Sequence, residues 1–191
     1  MSLAQRATCA LFQGAHIQPG GITMQHALYR WTSILVMGIG LAVTPLAHAA
    51  KSPLAVVKDY MSGWNAHDPN QAAMNMDVDV EYYDVTVGEA QQGVVVARDN
   101  VIKFFIASFP DLKWNMVGDP IVTRDAVVFR WQFTGTNTGP NIDSTINEGK
   151  PTGKPIALSG LSLIKVKNGK IVYQGDYYDA LSLNKQLGNI K

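Results

Sequence analysis

The sequence predicts an α+β fold, with helices gathered near the start of one domain and packed on an antiparallel sheet. Three observations carry this. Apolar residues recur at spacings of three and four in segments between Ser52 and Phe109. Strict alternation of apolar and polar residues dominates the stretch from Trp114 to Tyr178. Within that stretch the dipeptide Asn168-Gly169 joins two long alternating runs, the strongest short signal for a tight hairpin. Helices grouped against hairpin-connected strands make an α+β domain.

The elements follow in order. Ser52 is a good N-cap and Pro53 suits the first helical position, where its missing N–H costs nothing. Leu54, Val57, Met61 and Trp64 then form one apolar stripe, and Asp68-Pro69-Asn70 ends the helix. A short second helix is expected in "NQAAMNM". "DVDVEYYDVTV" reads as a strand with Val78, Val80 and Tyr82 on one face and Asp79, Glu81 and Tyr83 on the other. Gln91 to Val96 reads as a turn or short strand. The third helix is "ARDNVIKFFIASFPD", with Asp99 near its start and Pro110 past its end. Two strands flank Arg124-Asp125, and in the second Val127, Phe129, Trp131 and Phe133 share a face. Residues 139–153 are rich in Gly, Pro, Asn and Thr and form a loop. A long strand from about Lys154 to Lys167 pairs through Asn168-Gly169 with Lys170–Tyr178. Asp179 opens a last helix holding Leu181 and Leu187, and Gly188 stops it.

The first 49 residues have a different character. From Met24 the chain shows a positive Arg30, an apolar run from Thr32 to Leu46, a helix-breaking Pro45 and the small-x-small triplet Ala47-His48-Ala49. This is the layout of a secretory signal peptide. The apolar run falls short of the roughly 20 residues that span a bilayer, so no stable membrane anchor is expected after cleavage. Residues 1–23 read either as an upstream start wrongly included or as an extended n-region. The expected mature domain, 50–191, is periplasmic or secreted. It holds all 15 acidic residues and 14 of the 16 basic ones, a formal charge of −1 that argues against nucleic-acid binding. The single cysteine, Cys9, precedes it, so the mature domain has no disulfide and no thiolate metal site. No phosphate-cradling glycine loop, serine elbow or His cluster for a metal is present.

"GWNAHDPNQAAMNMDVDVEYYD", "FFIASFPDLKW", "FTGTNTG", "PTGKPIALSG", "VKNGKIVYQGDYYD" and "LNKQLG" resemble, in that order, the pattern of SnoaL-like polyketide cyclase (ester cyclase) domains. The resemblance covers about Leu54 to Gly188. It implies the nuclear transport factor 2-like fold, a curved sheet wrapped with helices into a cone-shaped α+β barrel with an internal apolar pocket. It also implies cofactor-free acid/base chemistry on a small apolar carbonyl compound and, as one arrangement, a homodimer through the outer sheet face. The fold equally hosts non-catalytic binding modules, and export suits a periplasmic binding or accessory protein.

The same resemblance places the family's acid/base aspartate at Asp179, in "YYDALSLNKQLG". Proton abstraction next to a carbonyl needs a carboxylate whose pKa is raised by burial. Asp179 has a second reading as the N-cap of the last helix. Asp176 differs from it in strand parity and is the alternate. Trp64 and Asn65, ending the first helix, are candidates for the pocket floor. Tyr83, Trp131, Phe133 and Tyr177 are candidates for its walls, with Asp84 as ambiguous as Tyr83. His67, the one histidine of the mature domain, reads as a solvated helix end, and Asn137 as a turn former. The pocket histidine of the well-described cyclases has no counterpart in the C-terminal half. The loop 139–153 is expected to form a flap at the pocket rim.

Overall fold

The computed structural model describes residues 51–191; the leader assignments around Met24, Arg30 and Ala47–Ala49 lie outside the described residues. Helix α1 (Pro53–Asn65) begins where Ser52 Oγ accepts the Ala55 N–H, as its sequence predicts. It buries Val56, Val57, Tyr60, Met61 and Trp64, so Tyr60 joins the expected stripe while Leu54 stays partly exposed. Asp68 does more than end α1. Its carboxylate accepts the N–H groups of Asn70 and Gln71 and caps α2 (Pro69–Ala73). A side chain at Gly63 would collide with the Ala72 backbone, so glycine there lets α1 and α2 pack closely.

Six strands follow: β1 (Met76–Asp84), β2 (Gln91–Gln92), β3 (Lys113–Val122), β4 (Ala126–Thr136), β5 (Pro155–Lys167) and β6 (Lys170–Tyr178). They form one sheet in the order β2-β1-β6-β5-β4-β3. The hairpin partners β3/β4, β4/β5 and β5/β6 are antiparallel, as is β1/β2. The β1/β6 seam is parallel, which makes the sheet mixed. Parallel pairing there follows from connectivity: no hairpin joins β1 to β6, and the rest of the domain lies between them. At the β5/β6 turn Asn168 and Gly169 both have positive φ, 52° and 75°, as the two-residue turn requires.

Val78 departs from the expected alternation. It is exposed while Val80 and Tyr82 are fully buried. The β1/β6 register shifts between Met76 and Glu81, and this irregularity releases Val78 to the surface. The third helix begins earlier than its sequence suggests. Gly93, at φ 87°, turns the chain directly from β2 into α3 (Val94–Ala97), which continues through a π-helical turn (Arg98–Ile102) into α4 (Lys103–Ser108). The wide turn buries the adjacent Val101 and Ile102, and Phe105 follows on the core side. In the last helix, α5 (Ala180–Leu187), Leu183 and Leu187 face inward and Leu181 is exposed.

The core lies between the inner sheet face and the helices. Val127, Phe129, Trp131 and Phe133 of β4 point into it, and Arg130 and Gln132 point outward, as the alternation predicts. Tyr60, Trp64, Phe105 and Phe109 cover the sheet from the helical side. The loop after β4 is tethered rather than a free flap. Asn137 is fully buried, and its Nδ2 donates to the carbonyls of Ser108, Gly139 and Pro140, while its Oδ1 accepts the Thr152 N–H. Asn141 and Asn189 exchange amide hydrogen bonds at 2.8 and 3.0 Å and fix the far side of the loop.

Candidate active site

The parallel seam brings two carboxyl groups together inside the core. On β6 the inward positions are Gln174, Asp176 and Tyr178; on β1 they are Tyr82 and Asp84. The register sets Tyr82 beside Gln174 and Asp84 beside Asp176. Adjacent strands lie about 4.8 Å apart, so the two aspartates are immediate neighbours. On the other side of β6, Ser162 of β5 is the partner of Asp176 and Gly160 the partner of Tyr178. Gly160 also faces Trp131 of β4, where a Cβ would occupy the space of the indole ring.

These side chains line a cavity of about 30 Å³. Its walls are Trp64, Tyr82, Phe105, Trp114, Trp131, Phe133, Leu158 and Tyr178, with Asp84 and Asp176 as the two charged groups. A space of that size holds about two waters.

Each carboxyl has its own set of donors. Asp176, 5% exposed, accepts from Tyr82 OH at 2.7 Å and Gln174 Nε2 at 2.8 Å, and from the Ser162 hydroxyl. Ser162 Oγ in turn accepts the Trp131 Nε1–H at 2.8 Å. Asp84 accepts the N–H groups of Thr86 and Val87 at 2.8 and 3.3 Å and the Tyr178 O–H at 3.0 Å. The Tyr178 hydroxyl also meets that of Thr86.

Burial and the neighbouring charge govern the protonation of the pair. Desolvation pushes Asp84 up to about 7, and the charge of Asp176 adds to it. Burial raises Asp176 as well, against the pull of Ser162, Tyr82 and Gln174. Among the described residues, no lysine, arginine or histidine lines the cavity to neutralise two negative charges. Two adjacent carboxyls in such a place share a proton near neutral pH. The phenols of Tyr82 and Tyr178 are held above their ordinary value by burial first and by the aspartates next, so both remain donors. Trp64 Nε1, Tyr60 OH and Gln174 Oε1 are buried without a partner in the protein. The Trp64 N–H neighbours the Tyr60 hydroxyl, and its ring lines the cavity.

Trp64, Trp131 and Phe133 line this cavity. Asn65 does not reach the cavity: its amide makes two 2.8 Å bonds to the backbone of Trp114 and locks α1 to β3. Tyr83 and Tyr177 are on the outer sheet face, where their rings meet at 5.7 Å, because odd-numbered positions at the ends of β1 and β6 point away from the core. Asp179 is corrected in the same way. Strand β6 ends at Tyr178, and the exposed Asp179 carboxylate accepts the Ser182 N–H at 2.9 Å as the N-cap of α5. The inward acids are Asp176, which the sequence reading set aside, and Asp84, which it left ambiguous. Parity with Tyr178 and Tyr82 was the available signal. His67 Nε2 lies 3.0 Å from the Leu112 carbonyl, away from the carboxyl pair.

Known proteins share this architecture. IdmH from Streptomyces antibioticus is 23% identical, with a TM-score of 0.58 over 72% of this chain and 99% of that one. A protein with ketosteroid isomerase-like fold from Catenulispora acidiphila, solved with trimethylamine, is 18% identical with a TM-score of 0.58, covering 72% and 95% of the two chains. An NTF2-like protein from Burkholderia thailandensis is 17% identical, also with a TM-score of 0.58, over 72% and 98%. Identities this low speak for the fold alone. No curated protein matches the sequence significantly. The family profile described as SnoaL-like polyketide cyclase matches residues 54–187, nearly the whole described domain. By that match, and by the mixed sheet and helices that agree with it, the chain belongs to the SnoaL-like polyketide cyclase family.

Proposed function

We propose that the protein is an exported acid/base enzyme that moves protons at a carbon next to a carbonyl in a small, mostly apolar compound, without a cofactor. The carrying observation is the Asp84–Asp176 pair in an aromatic cavity, with Asp84 pushed up to about 7. Asp84, pushed up to about 7, holds the proton, and Asp176, with its three side-chain donors, is the carboxylate of the pair. A substrate C–H proton passes to the ionised carboxylate while the protonated partner gives its proton to the carbonyl oxygen, producing an enol. Delivery of the abstracted proton to a different carbon of a conjugated enol, with the enol O–H proton returned to the other carboxyl, completes an isomerisation. Attack of the enol carbon on a second carbonyl, with the enol O–H proton returned to one carboxyl and the abstracted proton passed to the new alkoxide, completes a ring closure. Export rests on the leader layout, and intact mass of the protein from a periplasmic extract tests it: cleavage after Ala49 is expected.

The activity is tested by deuterium exchange into the α-protons of 1,3-cyclohexanedione and its 2-alkyl derivatives, followed by NMR. Asp84→Asn and Asp176→Asn are each expected to slow exchange by roughly 10²–10⁴-fold, the usual contribution of a general acid or base. Full exchange in both variants would refute the assignment. One observation favours a second reading, a non-catalytic small-molecule binding protein: the cavity is only about 30 Å³. Native mass spectrometry showing a retained compound, together with no exchange in the wild type, is the outcome that reading expects.

A further inference from the structure

Outside the cavity lies a second hollow of about 310 Å³, roughly the lower limit of a typical ligand pocket. Val87, Phe104 and Ile142 give it apolar walls, and the exposed Asp99 and Asn100 of the π-helical turn stand at its rim. Two features connect it to the inner cavity. Phe105 is a wall of both spaces. Thr86 borders the outer hollow, and its hydroxyl meets the Tyr178 hydroxyl, which donates to Asp84 inside.

We propose that the two spaces are compartments of one binding site, the inner for a carbonyl head and the outer for an apolar tail, with Phe105 the partition that turns aside on binding. The inference rests on the acid/base reading for the identity of the head. The inner space alone is too small for any carbonyl compound larger than about two waters, so occupancy requires the partition to move. Phe105 is suited to this because it lines both spaces and packs edge-on to Phe104 and Phe133. The ligand class is therefore elongated: a compact dicarbonyl bearing an alkyl or aryl tail, its far end meeting the polar rim at Asp99 and Asn100.

The test uses 1,3-cyclohexanedione with 2-methyl, 2-butyl and 2-octyl substituents, with affinity read by calorimetry. Quenching of the fluorescence of Trp64, Trp114 and Trp131, all inner-wall residues, reports entry of the head. In the wild type, affinity rises with tail length by up to about fourfold per methylene until the hollow is filled. Ile142→Trp takes up part of the hollow and lowers the ratio of octyl to methyl affinity. Phe105→Ala speeds association of the octyl probe by roughly tenfold, the factor expected when an open state below about 10% populated becomes permanent. Equal affinity across the series, an unchanged ratio in Ile142→Trp, or no binding by any member overturns the two-compartment site. Exchange of the tail-less dione without tail dependence removes this inference and leaves the acid/base reading standing. Tail-dependent binding with no loss of exchange in Asp84→Asn and Asp176→Asn does the reverse.

Discussion

Replacing Asp84 with asparagine separates the charge of this carboxyl from its shape. The amide oxygen can still accept the N–H groups of Thr86 and Val87, and the Tyr178 hydroxyl can still meet Thr86. What disappears is a group whose folded-state pKa is raised from 3.8 to about 7. The native state therefore holds a proton at Asp84 that the unfolded chain has released, and between those two values stability falls as pH rises. The shift is roughly three units at about 1.4 kcal/mol each, so the wild type is expected to lose on the order of 4 kcal/mol from this group between about pH 4 and pH 8. Asparagine carries no such loss. Urea denaturation of both proteins across that range is the assay, and the difference between them cancels the titrations of groups that do not couple to Asp84. The asparagine protein is expected to gain on the wild type steadily from about pH 4 and to level off above about pH 7. A difference that stays flat within about 1 kcal/mol would refute a neutral-range proton at Asp84, and with it the argument for a shared proton.

Three further outcomes follow from the packing around the pair. Ser162→Ala strands the Trp131 N–H and one oxygen of Asp176, both buried, and is expected to cost about 1–3 kcal/mol in urea denaturation. Asp179→Ala removes the N-cap of α5 and should cost about 1 kcal/mol while leaving deuterium exchange at the wild-type rate; lost exchange with unchanged stability would return Asp179 to the chemistry. Gly160→Ala forces a methyl group into the Trp131 indole, which Ser162 holds in place, and should destabilise by about 1–3 kcal/mol with a shift in tryptophan emission.

Most of the fold was legible because the signals that specify it are local. Ser52-Pro53 starts α1, Asn168-Gly169 turns β5 into β6, and Asp179 with Gly188 brackets α5. The site was less legible because it depends on register between distant strands. The resemblance drew attention to Asp179, but β6 ends one residue earlier, and its inward parity runs through Gln174, Asp176 and Tyr178. That parity could be read along β6 alone. The role of Asp84 could not, since nothing local indicates that β1 lies parallel to β6 with Asp84 beside Asp176. Val78 and Leu181 teach the same lesson in reverse: each is apolar and in phase by sequence, yet a bulge exposes one and helix placement the other.

The parallel seam also sets when the site can exist during folding. Strand β1 is the first of the sheet and β6 the last, and the Tyr82–Asp176 and Tyr178–Asp84 bonds each close a span of 94 residues. The hairpins from β3 to β6 can zip progressively from their turns, but the seam must wait for β6 to find β1 across almost the entire domain. Long-range closure of this kind is slow relative to local pairing. A chain emerging from its N-terminus thus carries β1 unpaired on that side until β6 has arrived. Protection of the Asp84 and Asp176 environment from exchange would then be the last event of folding, a kinetic marker that the whole chain is in place.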